Sequence, residues 1–460
     1  MQSFRSSIPA MPRGLVLMAA TALALMVEAC AAPVVSQNTT QALMAATPRD
    51  GEAVYAAACA SCHDGGLLQA PRREALAAFP IARIEAAMSG GIMQAQAAGL
   101  DAADRTAVAR FLARAPLSDA GDKGLCVPGA PASVAPVRVA DWGMSPDNAR
   151  AVNEAATAIN RDAVTRLELD WVFAFPNSSR ARVQPTIAGD TLFTADQTGM
   201  IYALDAATGC IRWRVQTAQE IRSALVIGAD ASGAATRLYF GDITGAVHAI
   251  DLASRKIRWT IRPEAHAQAT ITGTLRLFEG RLYVPISSLE VVAAIDPKYA
   301  CCTFRGAVVA LNAETGRIIW KTYTVDETPR VRGTNRDGAP QYGPSGAPVW
   351  SSPTLDVARR RLYVGTGENY SHPASARSDA ILALDLATGS ILWSYQALAA
   401  DVWNAACSAG ANCPLNTGPD YDFGAPPVLV KLKNGKSLLL AGQKSGFGYA
   451  LDPDKDGAVV

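Results

Sequence analysis

The sequence predicts a mainly β chain, a β-propeller preceded by a small all-α domain, and three observations carry that prediction. The line Tyr202-Ala-Leu-Asp-Ala-Ala-Thr-Gly-Cys-Ile-Arg-Trp213 returns as His248-Ala-Ile-Asp to Trp259, Val309-Ala-Leu-Asn to Trp320 and Leu382-Ala-Leu-Asp to Trp393. Residues 49–115 are instead Ala-rich and helical in pattern. Between the two lies 116–145, rich in Gly, Pro and Ala, which reads as a linker.

In chain order, the first element is an export signal over 1–31. Arg5 and Arg13 precede an uncharged apolar run from Gly14 to Val27, followed by small residues around Ala29-Cys30-Ala31. That run is too short for a stable membrane span and matches a cleaved secretory leader. Cys30 has two readings, a lipid-attachment cysteine that would anchor the mature chain or part of an ordinary cleavage site. Glu28 is unusual for the first. A small, polar tether follows over 32–48. Export predicts the periplasm.

The helical domain opens with Cys59-Ala60-Ser61-Cys62-His63. This spacing attaches a c-type haem through two thioethers and presents His63 as an iron ligand. Half of a zinc site or a bare redox dithiol is the bland alternative. No second Cys/His pair lies nearby, and a dithiol has no need of His63. The domain therefore reads as a cytochrome c. The iron's other axial position calls for a thioether or imidazole. Met93 is the choice and Met88 the rival, since Met93 precedes the last helix, from about Leu100 to Ala113, as in small cytochrome c domains that this segment resembles.

Six cysteines remain besides Cys30 and the haem pair. An even number in an oxidising compartment suggests disulfides. Cys407 and Cys413 can close a small loop, adjacent Cys301 and Cys302 can form a vicinal ring, and Cys126 with Cys210 is left by elimination.

From 146 to 460 the texture is β. Each repeat reads as a strand, a tight Asp-x-x-Thr-Gly turn and a strand ending in Trp, with further short strands such as Arg237-Leu-Tyr-Phe and Arg361-Leu-Tyr-Val between repeats. Four-stranded units recurring in this way predict propeller blades, each Trp packing between neighbours. A weaker first copy ends at Trp171. Successive tryptophans are 42, 46, 61 and 73 residues apart, so insertions lengthen the later blades and supply loops for a binding face. The last copy, from Tyr449 to Val460, stops where its Trp is due. The chain thus reads as a fragment of a longer propeller.

Composition excludes some functions. The chain is 49% hydrophobic and 18% charged, with net charge +1, so it lacks the basic field of a nucleic-acid binder.

Over 145–460 the repeats resemble the quinoprotein alcohol dehydrogenases, which hold pyrroloquinoline quinone (PQQ) and calcium in an eight-bladed propeller. Scaffold propellers share the repeats without the quinone, so the non-repeated residues must decide. The resemblance implies PQQ contacts from Arg222 in Glu220-Ile221-Arg222-Ser223, from Thr272 in Ile271-Thr272-Gly273-Thr274, and from Ser287. It implies Trp350 in Val349-Trp350-Ser351-Ser352-Pro353 under the quinone ring, and Lys444 in Gly442-Gln443-Lys444 at the quinone oxygens. Glu290 matches a calcium ligand. The family's second ligand is an Asn directly after Gly-Thr-Gly; here Glu368 holds that place and Asn369 follows, so both are candidates. Asp420 in Gly418-Pro419-Asp420-Tyr421-Asp422 takes the position of the catalytic base, although Pro419 replaces the family's Trp. Asp422 is the alternative and Asp401 a weaker one. The family's vicinal cysteines lie just before the Arg, where this chain has Thr217-Ala218; Cys301-Cys302 would have to cover the quinone from another blade.

An N-terminal cytochrome with Cys301-Cys302-Thr-Phe-Arg-Gly306 and Gly418-Pro-Asp-Tyr-Asp-Phe-Gly424 resembles the cytochrome-type polyvinyl alcohol dehydrogenases. That family implies oxidation of secondary hydroxyls to ketones, with PQQ as hydride acceptor, haem c as relay and an external carrier such as a soluble cytochrome c as acceptor. Two alternatives stand beside it: a non-catalytic propeller scaffold with an electron-transfer haem, and the same chemistry on a small alcohol or sugar.

Overall fold

The computed structural model describes residues 49–460, apart from 65–69, 71–72, 78, 80, 92, 114–123, 128–132, 153–156, 158, 177, 179 and 409. The leader, Cys30, the tether and much of the linker lie outside the described residues. Among those described, no helix is long and apolar enough to cross a membrane.

Among the described residues of the Ala-rich segment there are five helices: α1 Gly51–Ala58, α2 Ala60–His63, α3 Arg73–Leu76, α4 Ile81–Ser89 and α5 Ala102–Leu112. Local chemistry starts them. The Asp50 side chain accepts from Glu52 N, and Asp101 and Asp104 form a reciprocal capping box at α5, satisfying amides that have no partner within the helix. Gly51 lets α1 cross α5 closely, because a Cβ there would sit 2.2 Å from the Ala107 carbonyl oxygen. The small core joins Tyr55, Ile84, Met88, Val108 and Leu112.

The β region forms five antiparallel sheets in chain order. The first orders Val137–Val139, Thr186–Ala188, Thr191–Ala195, Met200–Asp205 and Ile211–Gln216. The second runs from Val226–Ala229 to Lys256–Ile261, the third from Ala269–Thr270 to Ile318–Tyr323, and the fourth from Thr354–Asp356 to Ile391–Gln396. The fifth runs from Val428–Lys431 to Ala458–Val459. Two short antiparallel pairs stand beside these sheets: Arg330–Thr334 with Pro340–Gly343 in the insertion between the third and fourth, and Ser345–Gly346 from that insertion with Asn369–Ser371, which lies between two strands of the fourth.

The repeated line explains how one sheet meets the next. Its Asp or Asn side chain accepts from amides of the turn, as Asp205 does from Ala207 and Thr208, and Asp385 from Ala387 and Thr388. The turn Gly then has positive φ, 71° at Gly209, 72° at Gly316 and 75° at Gly389. Against each lies the Trp of the preceding repeat: Trp171 on Gly209, Trp259 on Gly316, Trp320 on Gly389, Trp393 on Gly457. The indole N–H of Trp171, Trp259 and Trp320 donates to a carbonyl of the same turn, Ala206, Ala313 and Leu386. Trp171 differs from expectation in one respect. It docks in this way without lying on a strand, because the turn it caps, not a sheet register, holds it.

Gly389 has to satisfy both demands, since a Cβ would lie 2.4 Å from the Trp320 ring. Gly389→Ala should therefore cost about 3 kcal/mol, combining a left-handed backbone with overpacking. Gly280, with φ of 70° and open space around a built Cβ, is the control. Gly280→Ala should cost only about 1 kcal/mol, both being read from urea unfolding midpoints.

Candidate functional site

In the helical domain, α2 starts immediately after Cys59, and the amides of Cys62 and His63 both donate to the Cys59 carbonyl, at 3.1 and 3.0 Å. One tight turn thus carries both thiols and the imidazole. Cys59 and Cys62 are half-buried and form no disulfide, while His63 is buried. Burial and then Cys62 push the Cys59 thiol above its ordinary value. Two unpaired sulfurs one turn apart beside a buried imidazole fit thioether attachment of a haem. On the other side, Met88 belongs to the helical core and Met93 packs partly buried against it, so both rival thioethers remain in the same neighbourhood.

The second site is a cavity of about 560 Å³ in the propeller, a size suited to a small cofactor. Its lining brings together Arg222, Thr272, Ser287, Trp350, Glu368, Asp420, Asp422 and Lys444, residues spread over more than 200 positions of sequence. Trp350 is fixed by its indole N–H donating to Asp422 Oδ2 at 3.0 Å, and Gly424 leaves room for its ring, which a Cβ there would strike. Thr272 lies one step below, its hydroxyl donating to the Trp350 carbonyl. Two further lining hydroxyls, Thr270 Oγ1 and Ser351 Oγ, are buried without any hydrogen-bond partner, the signature of groups that a bound polar ligand would satisfy.

Lys444 Nζ reaches Asp420 Oδ1 at 2.7 Å and Asp422 Oδ2 at 2.8 Å, and lies 5.5 Å from the centre of the Trp350 ring. Asp422 Oδ1 accepts from the Glu368 amide at 2.9 Å. Carboxylate oxygens of Glu368, Asp420 and Asp422 lie within 4.8 Å of one another, a cluster of hard donors that fits a divalent cation. The clustered carboxylates repel one another. Burial and then Asp422 hold Glu368 well above the usual carboxylate range. The same two causes push Asp420 up to about 6, against the pull of Lys444. Burial opposes the Lys444 charge, but Asp422 and Asp420 outweigh it and raise its pKa.

Asp420 has φ of 63°, in the left-handed region, and Asp401 beneath it explains how. The buried Asp401 carboxylate accepts from the amides of Asp420 and Tyr421, at 3.3 and 2.9 Å, clamping the turn that presents Asp420. Asp401 is thereby engaged from below and does not line the cavity.

Two expected ligands sit elsewhere. Glu290 is fully buried; its Oε1 accepts from the Tyr299 hydroxyl and the Thr303 amide, its Oε2 from the Phe304 amide. It thus anchors the insertion that carries Cys301 and Cys302. Asn369 is also spent, donating to Ser378 Oγ and the Asp401 carbonyl and accepting from Ser375 N. Neither lines the cavity, which leaves Glu368 as the acid of the Gly-Thr-Gly segment that faces it. Cys301 and Cys302 are disulfide-bonded and buried in the core of the third sheet, not on the cavity wall. Disulfides also join Cys407 to Cys413, and Cys126 to Cys210.

Sequence reasoning missed Trp142, Arg182, Tyr370 and Trp403 on the wall, none of which belongs to a repeat or a motif. It also missed Asp379 behind the wall. Asp379 is fully buried, both of its carboxyl oxygens lack a hydrogen-bond partner, and its φ is 48°. Burial, then Asp401 and Asp422, push it up to about 9, with Ser378 opposing only part of the shift. Unfolded, it would ionise near pH ~4. Over that window the folded chain alone retains the proton, so stability falls as pH rises from about 4 towards 9. On EDTA-treated protein, the melting temperature of Asp379→Asn minus that of wild type should therefore widen from pH 5 to pH 8. A constant gap would mean that Asp379 is ionised throughout.

Comparisons with known proteins identify the two domains. Residues 144–458 match the glucose/ethanol/alcohol dehydrogenase β-propeller domain family, named for PQQ, and residues 46–112 match a family described as cytochrome c oxidase, cbb3-type, subunit III. The chain is 38% identical over 436 residues to a polyvinylalcohol dehydrogenase of Sphingopyxis sp. (strain 113P3), covering 89% of this chain and 66% of that protein. It is 35% identical over 433 residues to one of Pseudomonas sp, covering 89% of this chain and 67% of the relative. The chain thus spans about two thirds of these relatives' length. The crystal structure of a quinohemoprotein alcohol dehydrogenase from Comamonas testosteroni superposes with a TM-score of 0.54 at 21% identity, over 72% of this chain and 49% of that one, a likeness of fold. With a c-type haem motif at its N-terminal end and the quinoprotein propeller following, the chain belongs to the PQQ-type alcohol dehydrogenase family, in company with the polyvinylalcohol dehydrogenases.

Proposed function

We propose that the chain is the cytochrome-bearing part of a periplasmic dehydrogenase that oxidises secondary alcohols, above all polyvinyl alcohol, to ketones. The observation that carries this reading is the constellation Trp350–Asp422–Lys444–Asp420–Glu368, an aromatic platform, a cation and three convergent carboxylates on one cavity wall. Such a wall suits a flat quinone with a hard metal ion beside a base. The polymer reading leans on the two named relatives. Three disulfides support an oxidising compartment, hence the periplasm. A lipid anchor at Cys30 remains part of the proposal only as an alternative to simple cleavage.

When bound, PQQ supplies the hydride acceptor, calcium the Lewis acid that polarises it, and haem c the one-electron exit to an external carrier. Trp350, fixed through Asp422, offers the stacking face. Arg222, Thr272, Ser287 and Lys444 line the cavity and would supply the polar contacts that hold the cofactor. Glu368 and Asp422 are the carboxylates best placed to hold the cation. Asp420 takes the hydroxyl proton at its carboxylate, which the Asp401 clamp aims into the cavity.

Reconstitution tests the reading. The haem-loaded chain, given PQQ and calcium, should show alcohol-dependent reduction of its haem absorbance, and polymeric substrate should outperform small secondary alcohols. Reduction by small alcohols alone would transfer the reading to a small-alcohol dehydrogenase. No reduction by any alcohol, with haem in place, would favour an electron-transfer scaffold.

A further inference from the structure

The cavity has a second charged group that the reading above leaves unused. Arg182 lines the cavity beside Arg222. Arg222 is already paired, its Nε bound to Glu220 Oε1 at 2.8 Å, so that pair presents almost no net charge to a ligand. Arg182 is different: among the described residues its guanidinium has neither an ion-pair nor a hydrogen-bond partner, although Arg222, Arg180 and Glu220 are its charged neighbours. Arg182 is exposed on the cavity wall, where burial, Arg222 and Arg180 depress its pKa and Glu220, already paired with Arg222, opposes them only in part. An unpaired guanidinium held against like charges is stabilised by an anion, and its planar fork suits a carboxylate.

The anionic group of the cavity is distinct. Asp420 has Asp422, Lys444 and Asp401 as its charged neighbours, a set that does not overlap with that of Arg182. A ligand filling this space therefore meets net positive charge at one group and carboxylates at the other. A ligand with carboxylates at one edge and metal-binding carbonyls at the other would be oriented by that polarity.

Building on the quinone reading, we propose that Arg182 binds a carboxylate of the PQQ cofactor and supplies the net positive charge that Arg222, neutralised by Glu220, does not. It acts by binding and orienting; it takes no part in proton or hydride transfer.

The test is equilibrium dialysis of PQQ, with calcium, against the full haem-loaded chain. Arg182→Gln should raise the Kd for PQQ about tenfold or more at low salt, the loss expected for a charge-assisted hydrogen bond. Arg182→Lys should recover most of it, and added salt should shrink the difference between wild type and Arg182→Gln. The neutral PQQ trimethyl ester should bind wild type and Arg182→Gln alike. An unchanged Kd for PQQ in Arg182→Gln would overturn the inference and leave the quinone reading standing. So would an equal loss for the trimethyl ester, which would assign Arg182 a packing role. A wild-type chain that binds no PQQ would overturn the quinone reading and this inference with it.

Discussion

Asp420→Asn is expected to cut turnover about 10³-fold, the scale of a lost general base, while the haem absorbance and PQQ binding persist. The reason is its position. Asp420 is the partly exposed member of the carboxylate cluster, its side chain 24% accessible against 5% for Asp422, so it alone can meet a substrate hydroxyl arriving from the open side. Its turn is held by Asp401 through backbone amides, which Asn leaves untouched. Asp422→Asn should behave differently. Asp422 accepts from Trp350 and from the Glu368 amide and pairs with Lys444, so its loss should loosen the platform and weaken PQQ binding along with turnover. The two variants are separated by measuring PQQ affinity and turnover on the same preparations. An active Asp420→Asn would move the base to Asp422, since Asp401 does not line the cavity.

The second large effect is expected at the haem. Replacing Cys59 and Cys62 together by Ala should abolish covalent haem altogether, read as loss of haem stain on a denaturing gel. Reduction of an external cytochrome should vanish with it, because electrons lose their exit. A small dye that takes electrons directly from the propeller should still be reduced when PQQ and calcium are supplied. Loss of dye reduction as well would mean that the helical domain also holds the propeller site together. The structure favours the first outcome, since Cys59 precedes α2 and Cys62 lies on it, Cys59 packs against the helical core, and neither thiol borders the propeller cavity.

Much of this was legible before folding. The Asp-x-x-Thr-Gly turn and its Trp repeat because every sheet must solve the same docking problem. A left-handed residue is needed where an indole lies flat on the turn, and Gly209, Gly316 and Gly389 meet it without a Cβ. The second sheet shows that the rule is physical and not textual: Arg255 replaces the glycine, adopts φ of 59°, and places its guanidinium 6.0 Å from the centre of the Trp213 ring. The haem motif was equally readable, since its chemistry is contained in one turn of chain. Disulfides between near neighbours, Cys301–Cys302 and Cys407–Cys413, followed from proximity alone.

What lay beyond the sequence was direction. Glu290 and Glu368 are both buried acids in segments of the expected kind, yet one turns to the amides of Thr303 and Phe304 and the other faces the cavity. Asn369, which begins the strand just after Glu368, turns instead to Ser378 and the Asp401 carbonyl. Arg182 and Asp379 carry no motif, and only their missing partners in the folded chain mark them out.

Domain order, the repeating sheet and the haem-binding motif could be read from the chain alone, because they depend on contacts within a dozen residues or on a rule repeated along the chain. Which carboxylates converge, which are spent on backbone amides and which charges remain unpaired emerged with the fold. Those outcomes depend on side chains brought together from different sheets, and on burial, which turns a modest difference in orientation into a large difference in electrostatic energy.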